Sequence, residues 1–587
     1  MRIPSPLAFL VSAAAFTTTA VPSIAQAPEA DPAARFRAVA DEYVAAVSAQ
    51  FPETAESLGD SRSPERWTDI SPASLRAWEA REDAFLARMR EIDGGALYGT
   101  PEWVAFGMMR EQLESSRGTR ACRSELWGVS QLNGIHLEAS RAVGQQRVGT
   151  PEHRERALAR FRAFPRYLDQ EIANLREGLA AGYTAPREAV SRVVQQLDAM
   201  IPADIAQSGF HSPAQRDSSP EFRAAWAEVM RSAVYPAIAK YRDFLRDEYL
   251  PRARAEPGLH ALPNGRECYR AMVRASTSLD LDPAEIPATA RRARAEIEAE
   301  LRPIARRLTG TDDLAAARRM LRSDPRFVWK SREEMHQATV AAAKSIEELM
   351  PRAFSRIPAT PLVVEAGPAH EERSMPGAWY QQAPLDRSRP AVFFINLFGA
   401  EQKPRMDLGN TVAHEGMPGH HLQIAWAQEL PAPHPVTRLL RTGAFVEGWG
   451  MYGERVAYEI GAMGDDLQRA GVLVHLADAL VALEVDPGIH AGGWTREQAV
   501  DSMMSISGRS RQAAELYADR HAATPSQTVT YMTGYLELMR LRERARAELG
   551  PRFDVREFHD RVLGHGAITL PMLRETIDRW IAEKKRA

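Results

Sequence analysis

Most of the chain carries apolar residues at helical spacing, which predicts a mainly α-helical protein. Apolar positions recur every three to four residues over long stretches, for example 154–179 and 222–250. Thr-Pro-Glu at 150–152 and Ser-Pro-Glu at 219–221 each place a capping hydroxyl ahead of a proline and an acidic residue, which is typical of a helix start. The pattern therefore predicts a large helical body.

Three short segments depart from this spacing and predict a small sheet. Residues 361–365, 378–381 and 391–396 are rich in β-branched or aromatic side chains and are bounded by Pro and Gly. They precede a His-rich segment at 414–421, so the sheet is expected next to the helix that carries those histidines. A Glu-Pro-Gly turn near residue 257 is a candidate sub-boundary, but both halves are expected to share one core, and 28–587 is interpreted as a single domain.

The amino-acid composition mainly excludes classes of protein. The 587 residues are 44% hydrophobic and 26% charged, which is typical of a folded protein and excludes disordered and fibrous classes. The formal net charge of −3 gives no indication of a nucleic-acid partner.

The first 27 residues have the pattern of a signal peptide. Arg2 precedes an apolar run at 7–15 that is too short to span a bilayer, and Ala-Gln-Ala at 25–27 is typical of a cleavage site. The alternative is a buried N-terminal helix. The mature protein is expected to begin near Pro28 after cleavage near Ala27, to be periplasmic or secreted, and to have no membrane insertion.

Cys122 and Cys268 are the two cysteines of the chain. They are too few for a four-cysteine zinc site. In an oxidising compartment they can form one disulfide, and two buried free thiols are the equally weighted alternative.

The candidate chemistry lies in His-Glu-Gly-Met-Pro-Gly-His-His at 414–421. The segment is close to H-E-x-x-H, which presents two histidines to one metal ion from one helix face. Here Pro418 takes the place of the second histidine. On a straight helix His420 points away from His414, and His421 shares its face about 10 Å further along the axis. The Pro-Gly step permits a local bulge that returns His420 to the His414 face, and a kinked helix at a polar cleft is the alternative.

Three glutamates complete the predicted site. Glu447 lies between apolar residues in a segment, 443–459, that predicts a second helix; an acid there needs a partner, so it is the predicted third ligand. Glu454 shares its face and is predicted to accept a hydrogen bond from a ligand histidine, with a surface salt bridge as the alternative. Glu415 is the candidate general base, which would activate a water bound to Zn²⁺ and pass its proton to the leaving amine.

These motifs resemble the bacterial proteins catalogued as domain of unknown function 885. The resemblance covers most of the chain and is strongest from about Asn396 onward. Where those proteins usually have Glu-Val-x-Arg-Tyr, this chain has Tyr-Ala-Asp-Arg-His at 517–521, a departure that leaves a substrate role for the segment open. The segments that carry the resemblance are H-E-x-x-P-G-H-H-L-Q at 414–423, Glu-Gly-Trp at 447–449, Val-Asp-Pro-Gly-Ile-His at 485–490, Pro-Ser-Gln at 525–527 with Tyr531 and Gly534, and Leu-Gly-His-Gly at 563–566.

That family in turn resembles the gluzincin metallopeptidases, which bind zinc through two histidines and one glutamate. The resemblance implies a helical body with a deep cleft, Zn²⁺ as the cofactor, and His414, His420 and Glu447 as its ligands. The Gly-His pair at 419–420 aligns with the Gly-His that ends many gluzincin motifs, which favours His420 over His421 as the second ligand.

Several weaker candidates surround this set. Tyr531 is expected to donate a hydrogen bond to the oxyanion, with helix packing as the alternative, and Tyr535 competes for the same role. His490 and His565 are candidate substrate contacts, although a histidine beside glycine is more often structural. Asn396 ends the last predicted strand, whose edge is expected to pair with an extended peptide.

The sequence therefore predicts an exported zinc metallopeptidase, a hydrolase that acts on peptides or small amides. A catalytically silent binding protein that retains the cleft is one alternative, and a site closed by His421 as a fourth ligand would favour it. A metal-dependent esterase or amidase on a non-peptide substrate is the other. No G-x-S-x-G elbow indicates a serine hydrolase.

Overall fold

The computed structural model describes residues 31–54, 65–201, 204, 208–368, 372, 375–431, 433–440 and 442–586. The predicted signal peptide and its cleavage site near Ala27 lie outside the described residues. Within those ranges, no helix is both long enough and apolar enough to cross a bilayer.

The protein is mainly α-helical, as the spacing of apolar residues predicts. The first helices in chain order are α1 (Pro32–Gln50), α2 (Pro72–Arg90), α3 (Glu102–Thr119), α4 (Ile135–Gln145), α5 (Pro151–Arg162), α6 (Phe164–Ala181), α7 (Arg187–Met200), α8 (Ser212–Arg216), α9 (Pro220–Val229), α10 (Tyr235–Phe244) and α11 (Gly265–Thr277). The helices that follow are α12 (Ile286–Thr309), α13 (Leu314–Ser323), α14 (Arg332–Leu349), α15 (Asp407–Glu415), α16 (His420–Glu429), α17 (Gly443–Glu459), α18 (Asp466–His490), α19 (Arg496–Ser507), α20 (Arg511–Ala523), α21 (Val529–Leu549), α22 (Val555–Leu563) and α23 (Leu570–Arg586).

The helix starts predicted from the Thr-Pro-Glu and Ser-Pro-Glu signals are confirmed. Thr150 Oγ1 accepts from the backbone N–H three residues on at 3.2 Å, and Ser219 Oγ accepts likewise at 3.1 Å. The stretch 154–179 forms two helices, α5 and α6, which meet at Ala163. The stretch 222–250 runs almost continuously through α9 and α10, with a π-helical segment after each of them.

The three segments predicted as strands form one small sheet: β1 (Leu362–Ala366), β2 (Ala378–Gln381) and β3 (Ala391–Ile395). β3 lies in the centre, parallel to β1 and antiparallel to β2. The predicted sheet edge at Asn396 is therefore wrong, because both sides of the preceding strand are already paired. The Asn396 side chain donates instead to the carbonyls of Glu372, Met375 and Pro376.

Buried apolar side chains of the described residues form three clusters: a large one, a second one whose members come from the sequence range 67–253, and a small one around Val485. The large cluster draws on helices from both ends of the chain and includes α15, α17 and α21, which carry the candidate site. Cys122 and Cys268 form a disulfide that joins the end of α3 to α11, so the free-thiol alternative is wrong.

Candidate metal centre

The histidine motif spans the end of one helix and the start of the next. α15 ends at Glu415, α16 begins at His420, and the peptide bond between Met417 and Pro418 is cis. Pro418 has no N–H to donate to the carbonyl of His414, so α15 cannot continue through it. The predicted bulge within a single helix is therefore wrong: the helix breaks.

The break folds the chain back and brings two imidazoles together. A Cβ atom at Gly419 would lie 2.0 Å from the carbonyl oxygen of His414, so only glycine fits there. The rings of His414 and His420 lie edge to face, with 4.7 Å between their centroids. A straight helix would point two residues six positions apart in different directions.

Helix α17 holds this turn in place. The indole Nε1 of buried Trp449 donates to the carbonyl oxygen of Pro418 at 2.9 Å. At Gly450 a Cβ would lie 2.7 Å from the ring of His414, so glycine leaves the room that the imidazole occupies. The Glu-Gly-Trp-Gly sequence thus lets α17 approach closely enough for Glu447 to reach both histidines.

Glu447, His414 and His420 form a compact set of metal-binding atoms. Glu447 Oε2 lies 3.8 Å from His414 Nε2 and 3.7 Å from His420 Nε2, and one donor atom from each residue lies within 4.8 Å of the others. Ligands about 2.1 Å from a tetrahedral zinc ion lie about 3.4 Å apart, so these separations and this donor set fit zinc. The side chains of His414, His420 and Glu447 are 13%, 12% and 28% exposed, which leaves the cluster sheltered but reachable.

Glu454 orients the first of these histidines. Its side chain is fully buried, and its two oxygens accept from His414 Nδ1 at 2.9 Å and from His475 Nδ1 at 2.8 Å. The bond to Nδ1 fixes the orientation of the His414 ring and directs Nε2 towards Glu447.

The charges of the cluster support one another. Burial by itself lowers the pKa of His414, but its contacts with Glu447 and Glu454 outweigh burial and raise this pKa to about 10. Burial by itself raises the pKa of Glu447, but the contacts with His414 and His420 outweigh burial and lower this pKa to about 2. The site therefore favours a positive charge between its carboxylates, which a proton or a metal ion can supply.

A cavity of about 560 Å³ opens onto this cluster. His414, Glu415 and Tyr531 all line it, so the candidate base and the candidate oxyanion donor face the same space. Burial, and then the charge of Glu447, raises the pKa of Tyr531. Its phenol therefore stays protonated and able to donate a hydrogen bond.

His421 lies outside the cluster. Its Nδ1 accepts from the Tyr380 hydroxyl at 3.2 Å, and its Nε2 donates to the Thr360 carbonyl at 3.1 Å. Burial lowers the pKa of His421 to about 4, so the ring is neutral and both of its nitrogens are occupied. It cannot serve as a fourth ligand in this arrangement.

Three further candidates do not reach the cavity. Tyr535 is buried beside Arg455, and burial raises its pKa to about 12. The ring of His565 packs 5.1 Å from that of Trp103. Asn396 follows β3 and its side chain is engaged by the carbonyls named above, and none of the three lines the cavity wall.

His490 belongs to a buried network centred on Asp486, which reaches the cavity wall at His521. The Asp486 carboxylate accepts from the Tyr269 hydroxyl at 2.7 Å and from the backbone N–H of Ser526 at 3.0 Å, while His490 Nε2 donates to the carbonyl of His521 at 2.9 Å. The segments at 485–490 and 525–527 thus tie α18 to α11 and to the loop before α21, a structural role.

Sequence reasoning missed several residues at the site. His475 comes from α18 and is surrounded in sequence by apolar residues, so no motif marks it. The segment at 517–521, whose role the sequence leaves open, contributes Tyr517, Arg520 and His521 to the cavity wall. The Arg at its fourth position, which matches the pattern given in the sequence analysis, was the available signal.

One protein family and two solved structures match this chain over most of its length. A family model described as "Bacterial protein of unknown function (DUF885)" matches residues 52–577. The crystal structure of a "putative lipoprotein" from Colwellia psychrerythraea is 22% identical, with a TM-score of 0.82 over 94% of this chain and 100% of that one. A "putative lipoprotein of unknown function" from Shewanella oneidensis is 20% identical, with a TM-score of 0.78 over 92% and 99%.

These two likenesses show a shared fold. None of the curated proteins matches the chain. Because the family model covers most of the sequence, from just after α1 into the last helix, the protein belongs to the bacterial DUF885 family.

Proposed function

We propose that the protein is an exported zinc-dependent hydrolase that cleaves peptide or amide bonds. The observation that carries the proposal is the convergence of His414, His420 and Glu447 at the edge of a cavity that Glu415 also lines. Two imidazoles and one carboxylate are a donor set that hydrolytic zinc enzymes use. The resemblance of the motif to that of gluzincin metallopeptidases supports the same assignment.

The roles of the side chains follow from their positions. Zinc, when bound, supplies Lewis-acid activation of water and of the scissile carbonyl. Glu415 takes a proton from the attacking water and returns it to the leaving amine. Tyr531 donates its hydroxyl proton in a hydrogen bond to the carbonyl oxygen as negative charge develops there. Glu454 keeps His414 oriented through the hydrogen bond to Nδ1.

The number of available ligands favours catalysis over a closed binding site. Within the described part of the chain, the group of potential metal-binding side chains at this position contains only His414, His420 and Glu447. A three-ligand site leaves a coordination position for water or substrate, whereas structural zinc sites usually have four protein ligands. The engaged nitrogens of His421 support the open arrangement.

Export is part of the proposal. The two structural neighbours are described as putative lipoproteins, a class of exported protein. The disulfide between Cys122 and Cys268 is of the kind that persists in oxidising compartments, and the residues at 1–27 have the pattern of a signal peptide.

The direct test compares the wild-type protein with Glu415→Gln. Metal content is measured by mass spectrometry, and hydrolysis is measured on a mixed peptide set by chromatography. Zinc is expected near one equivalent in both proteins, and the variant is expected to lose at least ~10²-fold in rate because the general base is gone. Glu401→Gln, at an exposed position before α15, is the matched control and should keep full activity.

Two results would remove the proposal: wild-type protein without bound metal, or full activity in Glu415→Gln. Substrate pairs that share an acyl group and differ only in an ester or amide bond separate the peptidase from the esterase alternative. Preference for the amide is the expected result.

A further inference from the structure

The cavity that His414 lines also contains several positive side chains. Several ionisable residues line the cavity besides the histidines: the cations Arg322, Lys403, Arg509 and Arg520 and the acids Asp407, Glu415 and Asp478. Four cations thus face three acids along this lining, so at least one cation is left without a carboxylate of its own.

One carboxylate is shared among three arginines. Asp478 lies 2.6 Å from Arg322, 3.7 Å from Arg509 and 3.8 Å from Arg318. Asp407 also acts on Arg509 through its charge, although no arginine of the described residues lies within ion-pair distance of it. The guanidinium of Arg509 is therefore only partly neutralised.

Arg520 has no acidic partner at all in the described part of the chain. Its Nη2 donates to Gln527 Oε1 at 3.0 Å, and it also interacts with the hydroxyl of Tyr531. A guanidinium has five N–H donors, so most of its hydrogen-bonding capacity remains for a ligand. Its contact with Tyr531 places it beside the candidate reaction centre.

The aromatic ring of Tyr517 contacts Arg509 and lies on the same helix face as Arg520. Tyr517 and Arg520 are three residues apart on α20 and so lie on the same helix face. The guanidinium of Arg509 stacks over the Tyr517 ring at 4.6 Å from its centroid. Arg509, Tyr517, Arg520 and Tyr531 all line the same cavity as His414, and this set is called the arginine strip.

We infer that this strip binds a carboxylate of the substrate, with Arg520 as the principal contact and Arg509 as the second. A planar guanidinium pairs with a carboxylate through two parallel hydrogen bonds, which gives both affinity and orientation. A cavity of about 560 Å³ takes a ligand the size of a short peptide. The inference rests on the proposed function and names its substrate class: short peptides or acylated amino acids with a free carboxylate near the scissile bond.

Three peptides distinguish the two sources of such a carboxylate. Acetyl-pentaalanine has a free terminal carboxylate, its amide has none, and acetyl-Ala-Ala-Glu-Ala-Ala amide has one only in a side chain. The wild-type protein is expected to cleave one of the two carboxylate-bearing peptides with a kcat/KM about 10-fold to 100-fold above that of the uncharged amide. The favoured peptide shows whether the terminal or the side-chain carboxylate is recognised.

Arg520→Gln is expected to lower that preference at least tenfold, mainly through KM, and Arg520→Lys to restore part of it. Arg511→Gln on the same helix, which removes an exposed arginine paired with Glu497, is the matched control and should keep the preference. Equal losses on charged and uncharged peptides in Arg520→Gln would mean that Arg520 acts only through Tyr531, and the inference would be overturned. Equal cleavage of all three peptides by wild type would overturn it as well.

A binding measurement separates this inference from the proposed function. Isothermal titration calorimetry compares N-acetyl-phenylalanine with N-acetyl-phenylalanine amide on wild type, Arg520→Gln and Arg509→Gln. Tighter binding of the acid, lost in Arg520→Gln, supports the carboxylate site even if no peptide is hydrolysed. Equal binding of acid and amide rejects the site even if peptides are cleaved.

Discussion

At the scale of single residues, the fully buried carboxylate of Glu454 decides how His414 is presented. Burial raises the pKa of Glu454, but His475 and His414 outweigh it and hold this pKa below its usual value. The charged carboxylate therefore persists inside the protein because two imidazoles compensate it. One of those imidazoles is a candidate ligand, so the charge is available to strengthen metal binding.

Glu454→Gln should weaken zinc binding by about 10-fold to 100-fold, because the amide keeps a hydrogen bond to His414 but removes the charge. Competition with a chromophoric chelator gives the dissociation constant. Glu459→Gln is the matched control, since it also removes a paired charge from α17 but its partner is Arg542 of α21 and not a histidine of the cluster. An unchanged dissociation constant in Glu454→Gln would contradict the role assigned to this residue.

The sequence predicts part of this arrangement. Residues 447 and 454 are seven positions apart, so one helix face must present both, and an acid among apolar residues needs a partner. His475 was not predictable in the same way, because its contact with Glu454 depends on how α18 packs against α17. Residue spacing within one helix carries no information about a neighbour from another.

At the scale of elements, the close approach of α17 and α21 sets the position of Glu447. A Cβ at Gly448 would lie 2.4 Å from the Cα of Gly534, and one at Gly534 would lie 1.8 Å from the carbonyl oxygen of Ala444. The two helices therefore pack backbone to backbone. Any added side-chain atom at this contact has to push the helices apart.

Gly448→Ala is accordingly expected to lower the free energy of unfolding by about 1–3 kcal/mol through overpacking. Gly144→Ala in α4 is the matched control: a Cβ there meets no atom within 4 Å, and the better helix propensity should stabilise the protein by about 0.5–1 kcal/mol. Urea unfolding measures both values. Stabilisation by both substitutions would show that helix propensity, not the contact between the helices, controls position 448.

Local patterns predicted elements better than their connections. The strands predicted at 361–365, 378–381 and 391–396 follow from β-branched and aromatic residues bounded by Pro and Gly, and the sheet contains them. The strand order was not predictable, because it depends on pairing between segments, so the edge expected at Asn396 turned out to be the centre. Likewise Pro418 predicted a bulge, but α15 ends before it, and the Trp449 hydrogen bond that holds this turn comes from another helix and was not predictable.

At the scale of the whole molecule, the disulfide closes a long loop. Cys122 and Cys268 are 146 positions apart, and both are buried in the large core. Cross-linking such a loop restricts the unfolded chain by up to about 5 kcal/mol in the chain-entropy model. The bond thus stabilises the assembly of α3 on α11 without touching the candidate site.

Replacing both cysteines by serine is expected to lower the free energy of unfolding by about 2–5 kcal/mol while zinc binding and hydrolysis at 25 °C are retained. Thermal unfolding and metal content are measured on the same preparations. Reduced wild type is the control, since it keeps the native side chains. Loss of zinc from a variant that remains folded would show that the site depends on the disulfide.

The cavity is the feature least accessible to sequence reasoning. Its wall combines α15, α18, α20 and α21 with the strand β2, and only the motif on α15 and Tyr531 on α21 were predicted to face a substrate. Arg520 lies in α20 and Arg509 in the turn before it, and no motif marked either of them as a cavity residue. Their common exposure to one space emerges only when the helices are packed.

The most direct test of the account is an anomalous difference map, measured at the zinc absorption edge, from a crystal of the protein grown with zinc. The account predicts one strong peak about 2.0–2.3 Å from the Nε2 atoms of His414 and His420 and from a carboxylate oxygen of Glu447, with no protein atom in the fourth position. The absence of a peak there, or a peak bound by other side chains, would contradict it.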